Sequence, residues 1–257
     1  MLKIGKISYL NVYPLYNFVE NCKLIKGEPS YLNKLLRYGE IDVSPSSSFE
    51  YIKNPNHYLI LKNFSISSRS RVLSVVAILK SPIEELESQE LFLSPASATT
   101  NVLFQIILKE FYKFSNVRFK YLSENRFNQN VNHILIGDEA LKIYFKKNKN
   151  YFIYDIGELW FKFTSLPFVF ALWLINKNSI KNKEKEFNRF VCNLNYNKNH
   201  IVIPEKYENF TEKQIKEYFE FLDYNLTDLH LKSLNIFAEL CLKYHFINRK
   251  PEFNFYK

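Results

Sequence analysis

The sequence predicts an α/β protein of two lobes with a central cleft and two crossing strands. Short apolar strand patterns such as Leu2–Ile7 end at Ser, Asn or Pro where a helix pattern begins, as in open α/β sheets. The pattern restarts near Ser81-Pro82 with a fresh strand–helix unit, and the apolar run Phe168–Ile175 indicates a strand that returns to the first lobe. We therefore expect residues 1–79 and 166–257 to form one lobe and residues 80–165 the other.

The first lobe is predicted from short periodic runs. Leu2–Ile7 predicts a strand, and Pro14–Glu20 a short helix, because a proline in the first turn lacks only an N–H that has no helical partner there. Ser30 is suited to cap a helix with leucines at helical spacing, and Gly39 to end it. The remaining predicted elements are the strand Ile41–Val43, the helix Ser46–Lys53, and the strands Tyr58–Phe64 and Val72–Leu79.

The second lobe is predicted to contain two strand–helix units. The strand Leu91–Leu93 precedes the long helix Asn101–Phe114, and the strand His133–Ile136 precedes a helix from Asp138. Asp138 and Glu139 favour that helix start, because carboxylates interact well with the positive end of the helix dipole. The segments Tyr151–Asp155 and Glu158–Phe163 then lead to the return strand.

The C-terminal part is predicted to be helical. Thr211 and Gln214 match a capping box for the helix Ile215–Leu222, and Thr227 is suited to cap Leu229–Tyr244. Five apolar residues of the last helix recur at helical spacing, which favours packing against the first lobe over a partner groove. They are Leu231, Leu234, Phe237, Ala238 and Cys241.

Composition excludes several functional classes. The formal charge of +9 favours anionic partners, but the basic residues are dispersed and no nucleic-acid-binding motif is present, so nucleic acid is not a predicted partner. The three cysteines form no CxxC pair and are expected to be reduced and mostly buried; the five histidines form no pair at metal-ligand spacing. With no phosphate-binding glycine loop either, neither a metal nor a nucleotide cofactor is predicted.

No membrane interaction is predicted. Phe168–Ile175 is too short to span a bilayer, and no leader pattern precedes the first strand. We therefore expect a soluble, cytoplasmic protein.

Polar residues follow four of the predicted strands, at the edge where open α/β sheets bind ligands. Free N–H groups at a helix N-terminus favour anions, so four such junctions predict a cleft for a small anion. The candidate residues at these junctions are Ser8, Asn11, Ser46, Ser47, Ser97, Ala98, Thr99 and Asp138.

Two lobes joined by two crossing strands are the architecture of type 2 periplasmic binding proteins. Within that architecture, four segments in order resemble the chorismate dehydratase of the futalosine-type menaquinone pathway. The segments are Ile7-Ser8-Tyr9-Leu10-Asn11, Ser94-Pro95-Ala96-Ser97-Ala98-Thr99, Leu135-Ile136-Gly137-Asp138-Glu139-Ala140-Leu141 and Leu166-Pro167-Phe168-Val169-Phe170-Ala171-Leu172-Trp173. The resemblance covers roughly residues 2–175, and it implies loss of water from chorismate to give 3-[(1-carboxyvinyl)oxy]benzoate. It thus implies a carbon–oxygen lyase without a cofactor, acting on a small dicarboxylate.

The resemblance implies that Asn11 is the catalytic residue, as an amide that orients the substrate or stabilises charge. Backbone hydrogen bonding within its loop is the alternative for Asn11, as helix capping is for Ser97 and Thr99, and a helix-dipole role for Asp138. An amide is a poor base, so the proton acceptor is not assigned; the enolpyruvyl carboxylate of the substrate is one candidate.

Other side chains have competing interpretations. Trp160 and Trp173 are expected in the core. Arg69 or Arg71 can pair with a carboxylate, although their segment departs from the glycine-containing family pattern.

Two other functions stay open. The sister enzyme of the pathway, which forms 1,4-dihydroxy-6-naphthoate, shares the architecture. A non-catalytic small-anion binding protein shares it too, but such proteins are usually exported.

Overall fold

The computed structural model describes residues 1–17, 19, 21–146 and 148–256, and its strands form two mixed sheets. The strands are β1 (Leu2–Ile7), β2 (Cys22–Gly27), β3 (Val43–Ser47), β4 (Tyr58–Ser68), β5 (Val75–Leu79), β6 (Glu90–Leu93), β7 (Arg118–Tyr121), β8 (His133–Ile136), β9 (Phe152–Asp155), β10 (Phe168–Asn176), β11 (Leu222–Asp223) and β12 (Phe255–Tyr256).

The helices pack around these sheets. They are α1 (Pro29–Arg37), α2 (Ser48–Lys53), α3 (Ala98–Glu110), α4 (Gly137–Lys146), α5 (Ile156–Thr164), α6 (Glu184–Asn199), α7 (Glu212–Phe221) and α8 (Asp228–Lys243). A 3₁₀ helix at Leu10–Tyr16 follows β1. In the part of the chain that the structure describes, no helix is both long and apolar enough to cross a membrane.

The first lobe is built on a seven-stranded sheet with the order β11-β4-β10-β3-β1-β2, and β12 also pairs with β4. β1 runs parallel to β2 and β3, whereas β10 lies antiparallel between β3 and β4. The parallel strands end at the same edge of the sheet. The residues that follow β1 and those at the end of β3 therefore meet at one side of the first lobe.

The second lobe is built on a five-stranded sheet with the order β7-β6-β8-β5-β9. β5 pairs antiparallel with β8 and β9 and therefore belongs to this sheet. Its residues fall within the range 1–79 that was expected in the first lobe. The expected domain boundaries stay predictions, whereas the sheet membership of β5 is an observation.

The chain crosses between the sheets twice, through residues 69–74 after β4 and back through α5 into β10. Asp155 joins the two crossings: its Oδ2 accepts hydrogen bonds from the N–H groups of Val72 at 2.9 Å and Leu73 at 2.7 Å. Its Oδ1 caps α5 by accepting from the Glu158 N–H at 3.0 Å. Burial raises the pKa of this carboxyl to about 6, although its three N–H donors act in the opposite direction.

The observed helix ends differ from the predicted ones at two places and agree at a third. The 3₁₀ helix begins at Leu10, earlier than the predicted helix Pro14–Glu20, of which residues 18 and 20 lie outside the described residues. The N-cap of α1 is Glu28 and not Ser30, because Pro29 takes the first helical position. The Gly39 prediction is confirmed, since Gly39 follows the last turn with a φ of +73°.

The tryptophans predicted to be buried are buried, whereas most of the cysteines are not. Trp160 and Trp173 are buried, and the Trp160 indole N–H donates to Ser233 Oγ at 3.0 Å. The apolar stripe of α8 packs against β10 and α3, and both predicted capping residues, Thr211 and Thr227, begin their helices. The expectation of mostly buried cysteines is wrong: Cys241 is buried, Cys22 is half-buried and Cys192 is exposed.

Candidate active site between the lobes

An inner cavity of about 70 Å³ lies between the two lobes. Ile7, Asn11, Ser47 and Ile66 line it from the first lobe, and Ser97 lies opposite them on the second. None of the described residues that line this cavity is charged. A ligand here is therefore contacted by amide, hydroxyl and apolar groups.

Asn11 presents an amide to this cavity with its oxygen free. The Oδ1 atom is buried and accepts no hydrogen bond from the described part of the chain. The main-chain carbonyl of Asn11 accepts from the Tyr224 hydroxyl at 2.6 Å, and the side chain of Asn197 donates to the Leu15 carbonyl at 2.8 Å in the same 3₁₀ helix. The backbone is thus fixed from outside the helix, while the amide oxygen stays available to a ligand.

Ser47 and Ser97 bring two helix N-termini to the cavity. Ser47 Oγ accepts from the Glu50 N–H at 3.2 Å and caps α2, and Ser97 Oγ accepts from the Thr100 N–H at 3.2 Å and caps α3. Both side chains also line the inner cavity. Capping and cavity lining are therefore compatible at Ser97, as expected for a helix N-terminus that can also bind an anion.

Three other candidate residues do not line either cavity of the cleft: Ser46, Ala98 and Thr99. Ser46 lies on the strand face opposite to Ser47, and its hydroxyl donates to the Ser44 carbonyl at 3.5 Å. Thr99 is buried, and its Oγ1 accepts from the Phe49 N–H of α2 at 3.0 Å. Thr99 thus joins α3 of the second lobe to α2 of the first, and ligand contact by these three residues stays a prediction.

An outer cavity of about 530 Å³ continues the cleft towards solvent, and Ser8 and Asp138 line it. Tyr9 lies between the two cavities and, together with Ile136, lines both of them. Its hydroxyl donates to Glu28, and its ring lies against Gly137, where a Cβ would be 2.7 Å from the ring Cε1. Gly137 has a φ of +69°, so this position needs glycine both for its backbone and for the approach of Tyr9.

The outer cavity is acidic despite the positive charge of the chain. The carboxylates along it outnumber its one cation among the described residues, Arg126, which pairs with Glu124 at 3.0 Å. The acidic residues are Glu28, Glu124, Asp138, Glu139 and Glu208. The overall charge of +9 is therefore not concentrated at this cleft.

Arg69 and Arg71 do not supply positive charge to the cavities. Arg69 lies 3.9 Å from a carboxylate oxygen of Asp223, and Arg71 lies 3.7 Å from one of Glu158. Arg71 also contacts the ring of Tyr144. Anion binding in the inner cavity must consequently depend on N–H, amide and hydroxyl donors.

Asp138 connects the two lobes. Its Oδ1 accepts from the Leu10 N–H at 3.0 Å, and its Oδ2 accepts from the Tyr207 hydroxyl at 2.9 Å. Burial raises the pKa of this carboxyl, while the two donors lower it.

Tyr9, Tyr207 and Tyr224 belong to this site but were missed by the sequence analysis. Tyr9 lies inside the Ile7–Asn11 motif, where its position between Ser8 and Asn11 was the available signal. Tyr207 lies in the loop after α6 and Tyr224 directly follows β11, and no local sequence pattern connects either residue to the cleft.

No group of three or more His, Cys, Asp and Glu side chains is placed to hold a metal ion in the described residues.

Comparison with known proteins assigns the family. A family model described as "Menaquinone biosynthesis" matches residues 2–243. The chain belongs to the menaquinone-biosynthesis family.

Two proteins similar to this chain are described as chorismate dehydratases. A chorismate dehydratase of Thermus thermophilus is 29% identical over 192 residues, which cover 68% of this chain and 70% of that protein. A chorismate dehydratase of Campylobacter jejuni is 29% identical over 231 residues, which cover 85% and 86%.

The solved structures confirm the predicted fold class. A Candida albicans protein described as having the generic periplasmic binding protein fold aligns with a TM-score of 0.64 at 11% identity. The alignment covers 100% of this chain and 97% of that one. At this identity the likeness shows the fold alone.

Proposed function

We propose that this protein is a chorismate dehydratase, a carbon–oxygen lyase that forms 3-[(1-carboxyvinyl)oxy]benzoate and water. The observation that carries the proposal is the similarity to two chorismate dehydratases across 68% and 85% of the chain. The uncharged inner cavity, with its unpartnered amide oxygen at Asn11, is a suitable site for this reaction.

The reaction is an elimination from the cyclohexadiene ring. The C–H bond breaks at the ring carbon that bears the ether oxygen, and its electron pair forms the third ring double bond. The neighbouring C–OH bond breaks, and the departing oxygen leaves as water with a proton. No electrons are gained or lost overall, and formation of the aromatic ring supplies the driving force. The reaction therefore requires no redox cofactor.

Asn11 is assigned the central role. Its buried Oδ1 can accept a hydrogen bond from the ring hydroxyl and so orient it, while its Nδ2 can donate to negative charge that develops at the departing oxygen. An amide does not act as the base at neutral pH. The enolpyruvyl carboxylate of the substrate is assigned that role, because the ether link holds it close to the ring carbon that loses the proton.

The carboxylates of the substrate are assigned to neutral donors. Ser47 and Ser97 stand at the N-termini of α2 and α3, where N–H groups and hydroxyls favour an anion. Ser8 lies further out, towards the acidic outer cavity. A dicarboxylate is thus expected to lie with its ring in the inner cavity and away from the glutamates of the outer one.

Binding also requires the cleft to widen. The inner cavity of about 70 Å³ is well below the roughly 300–1,000 Å³ of typical ligand sites. Displacement of Tyr9 would join it to the outer cavity of about 530 Å³. Renewed closure over the substrate would then exclude water from the reacting atoms.

Incubation of the purified protein with chorismate, followed by mass spectrometry and ultraviolet absorbance, tests the proposal. We expect a product that has lost one water and carries a benzoate chromophore, with the same rate after exhaustive chelation of metals. Chorismate that binds but persists unchanged would indicate an anion-binding protein. Neither binding nor conversion would favour the sister enzyme and overturn the proposal.

A further inference from the structure

We propose that Asp138 is a positioning residue that holds Asn11 in its reactive geometry across the cleft, so that the site is complete only when the lobes are closed. The proposal rests on the dehydratase function for its kinetic consequences. Its structural part, the fixing of the Leu10–Asn11 backbone by the second lobe, does not depend on the identity of the substrate.

Asp138 contacts the backbone next to Asn11 from the opposite lobe. Asp138 lies in the first turn of α4, in the second lobe, whereas Leu10 begins the 3₁₀ helix of the first lobe. The 3.0 Å hydrogen bond from the Leu10 N–H to Asp138 Oδ1 fixes the Tyr9–Leu10 peptide, one residue before Asn11. A shift between the lobes that breaks this bond therefore releases the residue that carries the amide.

The opposite side of Asn11 is fixed within the first lobe. Its carbonyl accepts from the Tyr224 hydroxyl at 2.6 Å. The backbone is thus held on both sides of the Leu10–Asn11 peptide, once from each lobe, while Asn11 Oδ1 accepts nothing from the described residues. This arrangement orients a side chain without using its hydrogen-bonding capacity.

Both carboxylate oxygens of Asp138 already accept hydrogen bonds from the protein. Leu10 and Tyr207 occupy one carboxylate oxygen each, and Asp138 is 9% exposed. Its negative charge would also repel a substrate carboxylate, and Glu139 and Glu208 lie on the same wall of the outer cavity. A positioning role accounts for both hydrogen bonds, whereas direct ligand contact accounts for neither.

Several titratable groups act on Asp138. Tyr207 donates to it, Lys142 favours its charge, and Glu208 opposes it. Tyr9 and Tyr218 also interact electrostatically with Asp138, and Glu139 pairs with Lys142 at 3.9 Å. Burial outweighs the donors and raises the pKa of Asp138 above the ordinary 3.8.

The pH dependence of turnover follows from this direction. The ionised carboxylate accepts both hydrogen bonds, and protonation converts one acceptor into a donor. Turnover should therefore fall on acidification through the raised pKa of Asp138, at a higher pH than for an exposed aspartate.

The test compares Asp138→Ala, Asp138→Asn and Tyr207→Phe with Asp228→Asn, which alters an exposed aspartate in the first turn of α8. We expect Asp138→Ala to lower kcat by about 10²-fold with a much smaller change in KM, as for a misplaced catalytic group. Asp138→Asn keeps an acceptor for the Leu10 N–H, so it should recover part of kcat and flatten the acid limb of the pH profile. Tyr207→Phe should lower kcat less than Asp138→Ala does, and Asp228→Asn should match the wild type.

Two further measurements separate positioning from other roles. In an Asn11→Ala background, Asp138→Ala should cost little additional activity, because it acts through the missing amide. Amide hydrogen exchange at Leu10 and Asn11 should accelerate in Asp138→Ala while the melting temperature stays near that of the wild type.

Specific outcomes would overturn the proposal. An increase in KM with unchanged kcat would make Asp138 a ligand contact, and unchanged exchange at Leu10 in folded Asp138→Asn and Asp138→Ala would remove the positioning role. If the wild type does not convert chorismate, the dehydratase assignment fails, and the exchange measurement still decides whether Asp138 fixes the Asn11 backbone.

Discussion

The side-chain oxygens of Asn11 and Asp138 differ in their hydrogen bonding. Asn11 leaves its buried amide oxygen unpaired among the described residues, whereas Asp138 uses both carboxylate oxygens on protein donors. An unpaired buried polar atom destabilises a fold unless a ligand satisfies it. This difference supports a substrate contact for Asn11 and a supporting role for Asp138.

Gly137 tests whether the wall formed by Tyr9 matters for binding. Gly137→Ala imposes a positive φ on alanine, at about 1–2 kcal/mol, and also pushes a Cβ into the Tyr9 ring. We expect it to lower the free energy of unfolding by more than this backbone cost and to reduce turnover. Urea unfolding and chorismate kinetics measure the two effects.

Gly39→Ala is the matched control for this variant. Gly39 has a similar φ of +73°, but the nearest atom to an added Cβ would be 3.8 Å away, in ordinary contact. It should show the backbone cost alone and keep normal turnover. Equal effects of the two substitutions on both stability and activity would show that the Tyr9 contact is unimportant.

The sequence is informative about some residues of the cleft and uninformative about others. Asn11, Ser47 and Ser97 reach the inner cavity as expected, because a residue at the end of a strand or the cap of a helix has a defined place. Ser46 precedes Ser47 on one strand and so faces the other side of the sheet. The contact between Thr99 and Phe49 arises only when the lobes meet, and no local pattern encodes it.

At the scale of elements, the N-termini of α2 and α3 are coupled to each other. Thr99 Oγ1 accepts the Phe49 N–H at 3.0 Å, and the Ser48 hydroxyl lies 3.4 Å from the same atom. This contact joins the first turn of α3 to the first turn of α2. It places the two helix ends on opposite sides of the inner cavity.

Replacement of Thr99 by Val removes the acceptor with little change of shape. The Phe49 N–H would then be buried without a partner, at a cost of about 1–3 kcal/mol. We expect Thr99→Val to lower the free energy of unfolding by this amount in urea, while Thr99→Ser, which keeps the hydroxyl, should cost less. Equal stability of Thr99→Val and the wild type would show that this contact does not hold the closed lobes together.

Elements with a clear apolar pattern were predicted well, whereas edge strands rich in lysine or arginine were not. β1, β8, α8 and the return strand β10 lie close to their predicted ranges, because their apolar periodicity is strong. β2 and β7 were not predicted: half-exposed and rich in lysine or arginine, they gain their structure by pairing at sheet edges. α3 begins at Ala98, earlier than predicted, because Ser97 caps it.

At the scale of the whole molecule, the contacts that hold the two lobes together lie beside the inner cavity. Asp155 ties the two crossings at the hinge, Thr99 and Asp138 join the lobes at the cleft, and Tyr9 separates the inner cavity from the outer one. The inner cavity carries no charged side chain among the described residues, although the chain has a formal charge of +9. Net charge and helix termini therefore favour the same sign of ligand, but only the helix termini lie at the inner cavity.

Turnover of chorismate by the wild type and by Asn11→Ala, with a melting curve on each preparation, tests the central claim most directly. The account predicts that the wild type eliminates water and that Asn11→Ala lowers kcat by about 10²–10³, the cost of losing a donor that stabilises developing charge. The change in KM should be far smaller, and the melting temperature should hold, because Asn11 Oδ1 accepts no hydrogen bond from the described residues that the substitution would break. Near-normal turnover by a well-folded Asn11→Ala variant would contradict the account and leave Asn11 with a role only in the structure of its loop.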